Sequence, residues 1–196
     1  MQAEQTRSPD AYPVRFEVDY PDHLSRLLIF VKWLLAIPHW IILIALAIAM
    51  YVVNFIAFFA ILFTKKYPEG LFRFAVGVDR WSYNVSVYTG LLRDEYPPFS
   101  MEGGAYPLAY DVEYPGEMSR WLIFIKWLLI LPNAVVFLLV AIASYFTTFI
   151  AWFMILFTGS YPRGLFNFYV GVLRWGARIN AYTGFMTDRY PPFGLS

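Results

Sequence analysis

The sequence predicts an all-α membrane protein of two tandem repeats, each a transmembrane helical hairpin plus an amphipathic interfacial helix, with short β-strands at the membrane surface. The first supporting observation is composition: 59% of the 196 residues are hydrophobic and 15% are charged, whereas soluble domains average about 45–50% apolar and about 25% charged residues. The second is a pair of apolar runs, each longer than the roughly 20 residues that span a bilayer. The third is that the second half of the chain repeats the first.

The repeat is seen most easily in two phrases, LFRFAVGVDRWSYNVSVYTG from Leu71 and LFNFYVGVLRWGARINAYTG from Leu165, which lie 94 positions apart (165 minus 71). The same offset aligns residues 12–38 with 106–132 without a gap, and about half of the aligned positions are identical. Self-similarity of this kind indicates a duplicated structural unit. The predicted organisation is a polar N-terminal tail (1–11), a first membrane repeat (12–99), a linker (100–105) and a second membrane repeat (106–193).

Each repeat opens with a segment that alternates apolar and charged residues, VRFEVDY at 14–20 and LAYDVEY at 108–114. A period of two residues is typical of a half-buried strand. An isolated strand pair is marginal in water. The two segments are therefore expected to pair with each other or with the extended YPPF tails at 96–99 and 190–193.

The apolar run of the first repeat, residues 24–64, is too long for one simple span. A straight helix of that length would measure roughly 60 Å at 1.5 Å per residue, and the hydrocarbon core is about 30 Å thick. Two alternatives follow. Either a short interfacial helix over 24–37 precedes one span that starts after Pro38, or the run folds into a two-helix hairpin, although nothing between 45 and 54 resembles a turn.

The distribution of basic residues favours the hairpin, because basic side chains flank both ends of each apolar run. Such residues concentrate on the cytoplasmic side of membranes. We therefore expect a multi-pass protein of the inner (cytoplasmic) membrane with both termini in the cytoplasm. The predicted spans are 25–46, 49–65, 119–140 and 143–159.

The repeated phrase predicts an amphipathic helix. Its apolar stripe in the first repeat comprises Leu71, Phe74, Val78, Trp81, Val85, Tyr88 and Leu92, and its opposite side carries Arg73, Gly77, Arg80 and Asn84. Tryptophan and tyrosine favour the headgroup level of a bilayer, so the helix is expected to lie in the membrane plane. The alternative is that it packs on the protein's own helices.

The segments KWLLAIPH, AFFAILFTKKYPEGLFRFAVGVDRW and TDRYPPF together resemble an uncharacterised bacterial membrane family known as domain of unknown function 4389. The resemblance covers 12–99 and again 106–193. It implies an integral membrane protein and supplies no activity, substrate or catalytic residue. Two departures suggest that the halves have acquired unequal roles: Lys65-Lys66 stands opposite Gly159-Ser160, and Asp79 stands opposite Leu173.

Residues that could support catalysis are few. The two histidines, His23 and His39, have Glu117 and Asn133 as counterparts, and the chain has no cysteine. We therefore expect no enzyme activity, no cofactor and no metal site, and His39 is interpreted as a hydrogen-bonded helix residue. A net charge of +1 without a basic run also argues against nucleic acid as a partner.

Eight basic and aromatic residues are candidates for anchoring lipid or a protein partner. They are Arg26, Lys32, Arg80 and Trp81 in the first repeat, and Arg120, Lys126, Arg174 and Trp175 in the second. The two lysines either extend to the membrane interface or pair with a carboxylate such as Asp19 or Asp94. The two arginines before the tryptophans are expected to anchor structure or lipid and to have no catalytic role.

Two functions remain open on the sequence alone. The first is a non-enzymatic structural or accessory subunit that organises a membrane protein complex or a homo-oligomer. The second is a lipid-binding or transport-associated protein that holds anionic headgroups. Membrane lipids are expected partners in both cases.

Overall fold

A computed structural model of the protein describes residues 12–195, so the predicted tail at 1–11 lies outside the described residues. The first repeat contains β1 (Val14–Val18), a 3₁₀ turn (Leu28–Phe30), α1 (Lys32–Leu35), α2 (Ile37–Thr64) and α3 (Glu69–Thr89). The second contains β2 (Leu108–Val112), α4 (Leu122–Leu129), α5 (Leu131–Thr158) and α6 (Arg163–Thr183). The two repeats therefore have the same order of elements.

The two strands form an antiparallel sheet with each other, which confirms one of the predicted pairings. The register places Phe16 opposite Tyr110 and Val14 opposite Val112, with all four side chains buried on one face. Phe16 and Tyr110 occupy equivalent positions in the two repeats. A pseudo-two-fold axis therefore passes through the centre of the sheet and relates one half of the molecule to the other.

The repeats exchange their strands. In the packing of the elements, β1 lies on α6 and β2 lies on α3, so each strand covers the amphipathic helix of the other repeat. Beneath the sheet, α3 and α6 run antiparallel, because Asp79 meets Asn180 near one end of the crossing while Gly90 meets Tyr169 near the other. The two halves are thus interlocked and do not form separate domains.

Each repeat has one long helix of 28 residues, so the prediction of a transmembrane hairpin is wrong. Helix α2 continues through the turn predicted between 46 and 49, and α5 continues through 140–143. The physical reason is local: neither stretch contains a glycine or proline that would break the helix. The break lies earlier, where α1 ends at Leu35 and Pro38 occupies the first turn of α2, as in the alternative of a short helix before one long one.

The contrast between Lys65-Lys66 and Gly159-Ser160 has a structural explanation. Lys65 and Gly159 both cap the long helices in the left-handed conformation, with φ of 60° and 73°. Glycine adopts this conformation without a Cβ clash, whereas a lysine there costs about 1 kcal/mol. The two residues have the same role at helix ends, so this difference between the repeats does not indicate different functions.

The amphipathic helices are buried on both faces. In α3, Trp81 and Val85 face α2, while Gly77 and Asn84 on the opposite side are also buried. The reason is that the exchanged strand and the linker cover the polar side of the helix, where Arg80 bonds to the Tyr110 carbonyl and Gly77 lies against Met101. The helices pack on the protein's own elements, which confirms that alternative; their position at headgroup level stays a prediction, because the two arrangements are compatible.

The long helices contribute little to the core. Within the described residues, both are long and apolar enough to cross a membrane, yet only 11% of the most apolar window of each is buried. Large side chains such as Tyr51 (78% exposed) and Phe63 (71% exposed) point away from the protein. The core is formed instead by the sheet, by α3 and α6, and by one narrow stripe of each long helix that includes Ala57 and Ala151.

The sheet register allows a test of strand pairing. Asp19 donates its N–H to the Pro107 carbonyl (3.2 Å), and Glu113 donates to that of Pro13 (2.9 Å). Because bonded and non-bonded pairs alternate along an antiparallel ladder, the exposed Glu17 also directs its N–H towards β2. Glu17→Pro should remove this donor and lower the thermal unfolding midpoint by several degrees in detergent.

Glu17→Ala serves as the matched control, since it removes the same exposed side chain and keeps the N–H. Its unfolding midpoint should stay close to that of the unmodified chain. Equal midpoints for the proline and alanine variants would show that strand pairing contributes nothing to stability.

Candidate functional site

Arg80, one of the predicted anchoring residues, makes its hydrogen bonds within the protein. From the middle of α3, its Nε donates to the Tyr110 carbonyl (2.9 Å) and its Nη1 donates to the Met101 carbonyl (2.8 Å). Its Nη2 lies 3.3 Å from Asp111 Oδ1. A planar guanidinium suits this geometry because it offers several donors in fixed directions. Arg80 thereby joins the first repeat to the strand of the second.

Arg174 makes the equivalent contact from α6. Its Nε donates to the Phe16 carbonyl (2.9 Å) and its Nη1 donates to the Leu195 carbonyl (3.2 Å). The two arginines therefore hold the two opposite carbonyls at the centre of the sheet, each reaching into the other repeat. Their geometry matches the structural form of the anchoring hypothesis.

The tryptophans that follow these arginines point to the opposite side, towards the long helices. Trp81 Nε1 donates to His39 Nδ1 (3.0 Å), and Trp175 Nε1 donates to Asn133 Oδ1 (2.8 Å). His39 is buried and its ring stacks on that of Phe99 with centroids 3.9 Å apart. The interpretation of His39 as a hydrogen-bonded helix residue is confirmed. The change from histidine to asparagine preserves an acceptor for the indole N–H.

The lysines form buried ion pairs. Lys32 Nζ lies 2.8 Å from Asp94 Oδ1, and Lys126 Nζ lies 2.9 Å from Asp188 Oδ1. Both lysines are 1% exposed, so the alternative in which they extend to the membrane interface is wrong. Burial lowers the pKa of Lys32, and the hydrogen bond to Asp94 opposes that change. Of the two partners suggested by the sequence, Asp94 is correct and Asp19 is not.

These pairs form because the chain reverses direction after each amphipathic helix. Leu91 and Phe185 follow α3 and α6 in the left-handed conformation, with φ of 65° and 60°. The reversal brings the following aspartate back towards the start of its own repeat, where Asp94 also accepts a hydrogen bond from the Ser25 N–H. The ion pair therefore joins two groups that lie far apart along the chain.

The remaining two candidates, Arg26 and Arg120, lie at the surface. Arg120 Nη2 donates to the Phe63 carbonyl at the C-terminal end of α2 (3.1 Å). The structure therefore does not gather the eight predicted residues into one site. It distributes them over equivalent contacts in the two repeats.

Asp79 is a polar centre that the sequence reasoning did not select as a site. Its Oδ2 accepts hydrogen bonds from the Tyr110 hydroxyl (3.2 Å) and from Asn180 Nδ2 (2.9 Å). Among residues 12–195 it is the one buried carboxylate, and none of the described cations forms an ion pair with it. Burial raises its pKa to about 6, although both hydrogen bonds act in the opposite direction.

A signal for this centre is present in the sequence. Asp79 has Leu173 as its counterpart, and its partner Tyr110 has Phe16. Two of the three polar members of the centre thus have an apolar residue at the related position, while Asn180 has Ser86. The centre could be identified by looking for polar residues whose counterparts in the other repeat are apolar.

The chain belongs to the family described as Domain of unknown function (DUF4389), whose pattern it matches twice, over residues 26–101 and 120–194. This confirms the tandem repeat of that family. The matched segments begin after the strands, so the exchanged strands lie outside them. Comparison with curated proteins and with solved structures found no match.

The buried lysine pairs yield a stability prediction. Lys32→Met should lower the free energy of unfolding by about 3 kcal/mol, because Asp94 would keep its charge in a mostly buried position without its cation. Lys126→Met should have a similar effect, since the second repeat has the same geometry. The measurement is denaturant unfolding of the full chain in detergent.

Lys66→Met is the control, because that lysine is exposed at the end of α2. Removing it should change stability by less than about 0.5 kcal/mol. If Lys32→Met and Lys66→Met cost the same, the buried pair does not stabilise the fold.

The pKa of Asp79 yields a pH-dependent prediction. Below about pH 4 the carboxyl is protonated in both the folded and unfolded states; as pH rises through about 6, the folded protein must ionise it against burial. Its contribution to stability is therefore lost as pH rises. Asp79→Leu should unfold at a higher temperature than the unmodified chain at pH 8, by an amount corresponding to about 3 kcal/mol.

This difference should shrink towards pH 4. The titratable groups that interact with Asp79 are Tyr67, Tyr83 and Tyr110, and burial raises the pKa of all three, so none of them titrates in this interval. The exposed Glu113→Gln variant should show no such pH-dependent gap. A gap for Asp79→Leu that is constant from pH 4 to pH 8 would contradict the assignment.

Proposed function

We propose that this chain is a non-enzymatic integral membrane protein that acts as a structural or accessory subunit, organising a larger membrane complex or a homo-oligomer. The observation that carries the proposal is the unburied apolar surface of α2 and α5. A helix of 28 residues measures about 42 Å, longer than the roughly 30 Å of a bilayer core. Exposing two such helices to water would be unfavourable.

The exposed charges of the sheet support one orientation of the protein relative to the bilayer. Arg15, Glu17 and Asp111 project from its outer face and are exposed, so this face belongs in water. The pseudo-two-fold axis passes through the sheet at Phe16 and Tyr110. An axis in the membrane plane would put these charges at mid-bilayer depth, which costs several kcal/mol per charge. We infer that the axis follows the bilayer normal.

With this orientation both repeats face the same compartment, although each has a single long helix. The basic residues that follow the long helices, including Lys65, Lys66 and Arg163, are exposed, and they favour the cytoplasmic side for the sheet. The exposed aromatic faces of the long helices then meet lipid or partner helices. The proposed location is the cytoplasmic membrane.

The internal contacts favour a structural role over lipid handling. The lipid hypothesis relied on Arg80 and Arg174 to hold anionic headgroups, yet both direct their Nε donors to strand carbonyls. The buried lysines are likewise paired with their own aspartates. The arginines join the two repeats and the lysine pairs close each repeat on itself, as a scaffold requires.

Membrane orientation can be measured with single cysteines, since the chain has none of its own. Cysteines at Glu17 and Glu113 in the sheet should both resist an impermeant thiol reagent in intact cells and react after the cells are opened. Spin labels at Ile48 and Ile142, equivalent exposed positions of α2 and α5, should be more accessible to oxygen than to a water-soluble nickel chelate.

Labelling of the two sheet positions from opposite sides of the membrane would contradict the orientation, and preferential access of nickel at the helix positions would contradict membrane insertion. Native mass spectrometry after mild extraction tests the structural role. An assembly heavier than one chain is the expected result. A single chain with stoichiometric lipid would instead favour the lipid-binding alternative.

A further inference from the structure

We propose that a cavity beside Asp79 is a binding site for a small organic ammonium ion. The cavity has a volume of ≈ 270 Å³ and lies between α2 and the crossing of α3 with α6. Its polar lining consists of Asn54, Asp79, Ser82 and Asn180. The site is independent of the anchoring contacts described above and of the proposed structural role.

Two acceptors of this lining lack a protein donor. Both hydrogen bonds to Asp79 end on Oδ2, and no donor among residues 12–195 bonds to Oδ1. Asn54 Oδ1 is buried and also has no hydrogen-bond partner within the described chain. Buried polar atoms are nearly always satisfied, so the orphaned Asn54 Oδ1, in the same lining as an Asp79 oxygen that receives no protein donor, indicates a missing donor.

The charge of Asp79 indicates which kind of donor is missing. Its two protein partners, Tyr110 and Asn180, are neutral groups. A buried carboxylate without a counter-ion is costly, and a positively charged donor would both neutralise it and form a stronger hydrogen bond than a neutral one. The cavity is therefore complementary to a cation.

The remaining lining favours an organic cation over a metal ion. Calcium and magnesium require six or more oxygen ligands, whereas the wall contributed by α2 is largely apolar and includes Leu43, Ala47 and Met50. An ammonium group has three donors, which matches the oxygens of Asp79, Asn54 and Ser82. A short hydrocarbon body would contact the apolar wall, and this combination is typical of small-molecule sites.

Comparison of the two repeats shows whether the polar lining of this cavity is needed for folding. An equivalent cavity in the second repeat has Leu173 in place of Asp79, Thr148 in place of Asn54 and Gly176 in place of Ser82. Its lining contains no carboxylate. Since the same fold forms around both cavities, folding does not require the polar set. We infer that the polar set serves a ligand.

The test uses the full chain purified in a mild detergent at pH 8, titrated with hexylammonium chloride by calorimetry. Hexan-1-ol is the uncharged comparison, and sodium chloride is the inorganic one. We expect saturable binding of one hexylammonium per chain, with affinity about tenfold or more above that of hexan-1-ol. Asp79→Leu and Asp79→Asn should each lower the affinity for hexylammonium by about tenfold or more.

Glu113→Gln removes an exposed carboxylate and should leave binding unchanged. Asp79→Leu introduces the residue found at the equivalent position, and Asp79→Asn keeps the shape of the side chain, so at least one folded variant is expected. Equal hexylammonium binding by the unmodified chain and both variants would overturn the proposal. Competition by sodium at equal concentration, lost in both variants, would reassign the cavity to an inorganic cation and overturn the organic assignment.

Discussion

The two arginines in the middle of α3 and α6 donate to backbone carbonyls at the centre of the sheet, each on the strand of the other repeat. The rest of the molecule depends on this reciprocal contact. It fixes β1 over α6 and β2 over α3, and it holds Tyr110 where its hydroxyl reaches Asp79. It also covers the polar faces of the amphipathic helices, which leaves the long helices as the main exposed apolar surface.

Much of the fold could be predicted because its signals are local. Alternation at 14–20 and 108–114 predicted the strands, and the apolar stripe predicted the amphipathic helices. The hairpin prediction is wrong because no helix breaker lies near 46–49, and the basic residues at the ends of the run do not interrupt the helix. Strand exchange could not be derived, since two similar repeats make pairing within and between them equally consistent with the sequence.

For the candidate site, the sequence predicted residue types better than it predicted their contacts. The two arginines in the middle of α3 and α6, like the predicted tryptophans and lysines, make hydrogen bonds or ion pairs within the protein, but their partners lie far along the chain. Lys32 Nζ, for example, donates to the Arg93 carbonyl, 61 positions away. In the sequence, Asp79 is distinguished only by its difference from Leu173 at the equivalent position of the second repeat. Its burial and its bond to Asn180, 101 positions away, are properties of the folded chain that no local pattern encodes.

Strand exchange has a consequence for a chain with a single repeat, which could place its strand only on the helix of another copy. Such a chain would fold as a homodimer whose stability depends on concentration. Joining two copies through residues 100–105 makes the encounter intramolecular, with an effective concentration on the order of millimolar. Fusion also frees the halves to diverge: a homodimer with aspartate at position 79 would carry two buried carboxylates, whereas the fused chain carries one, opposite Leu173.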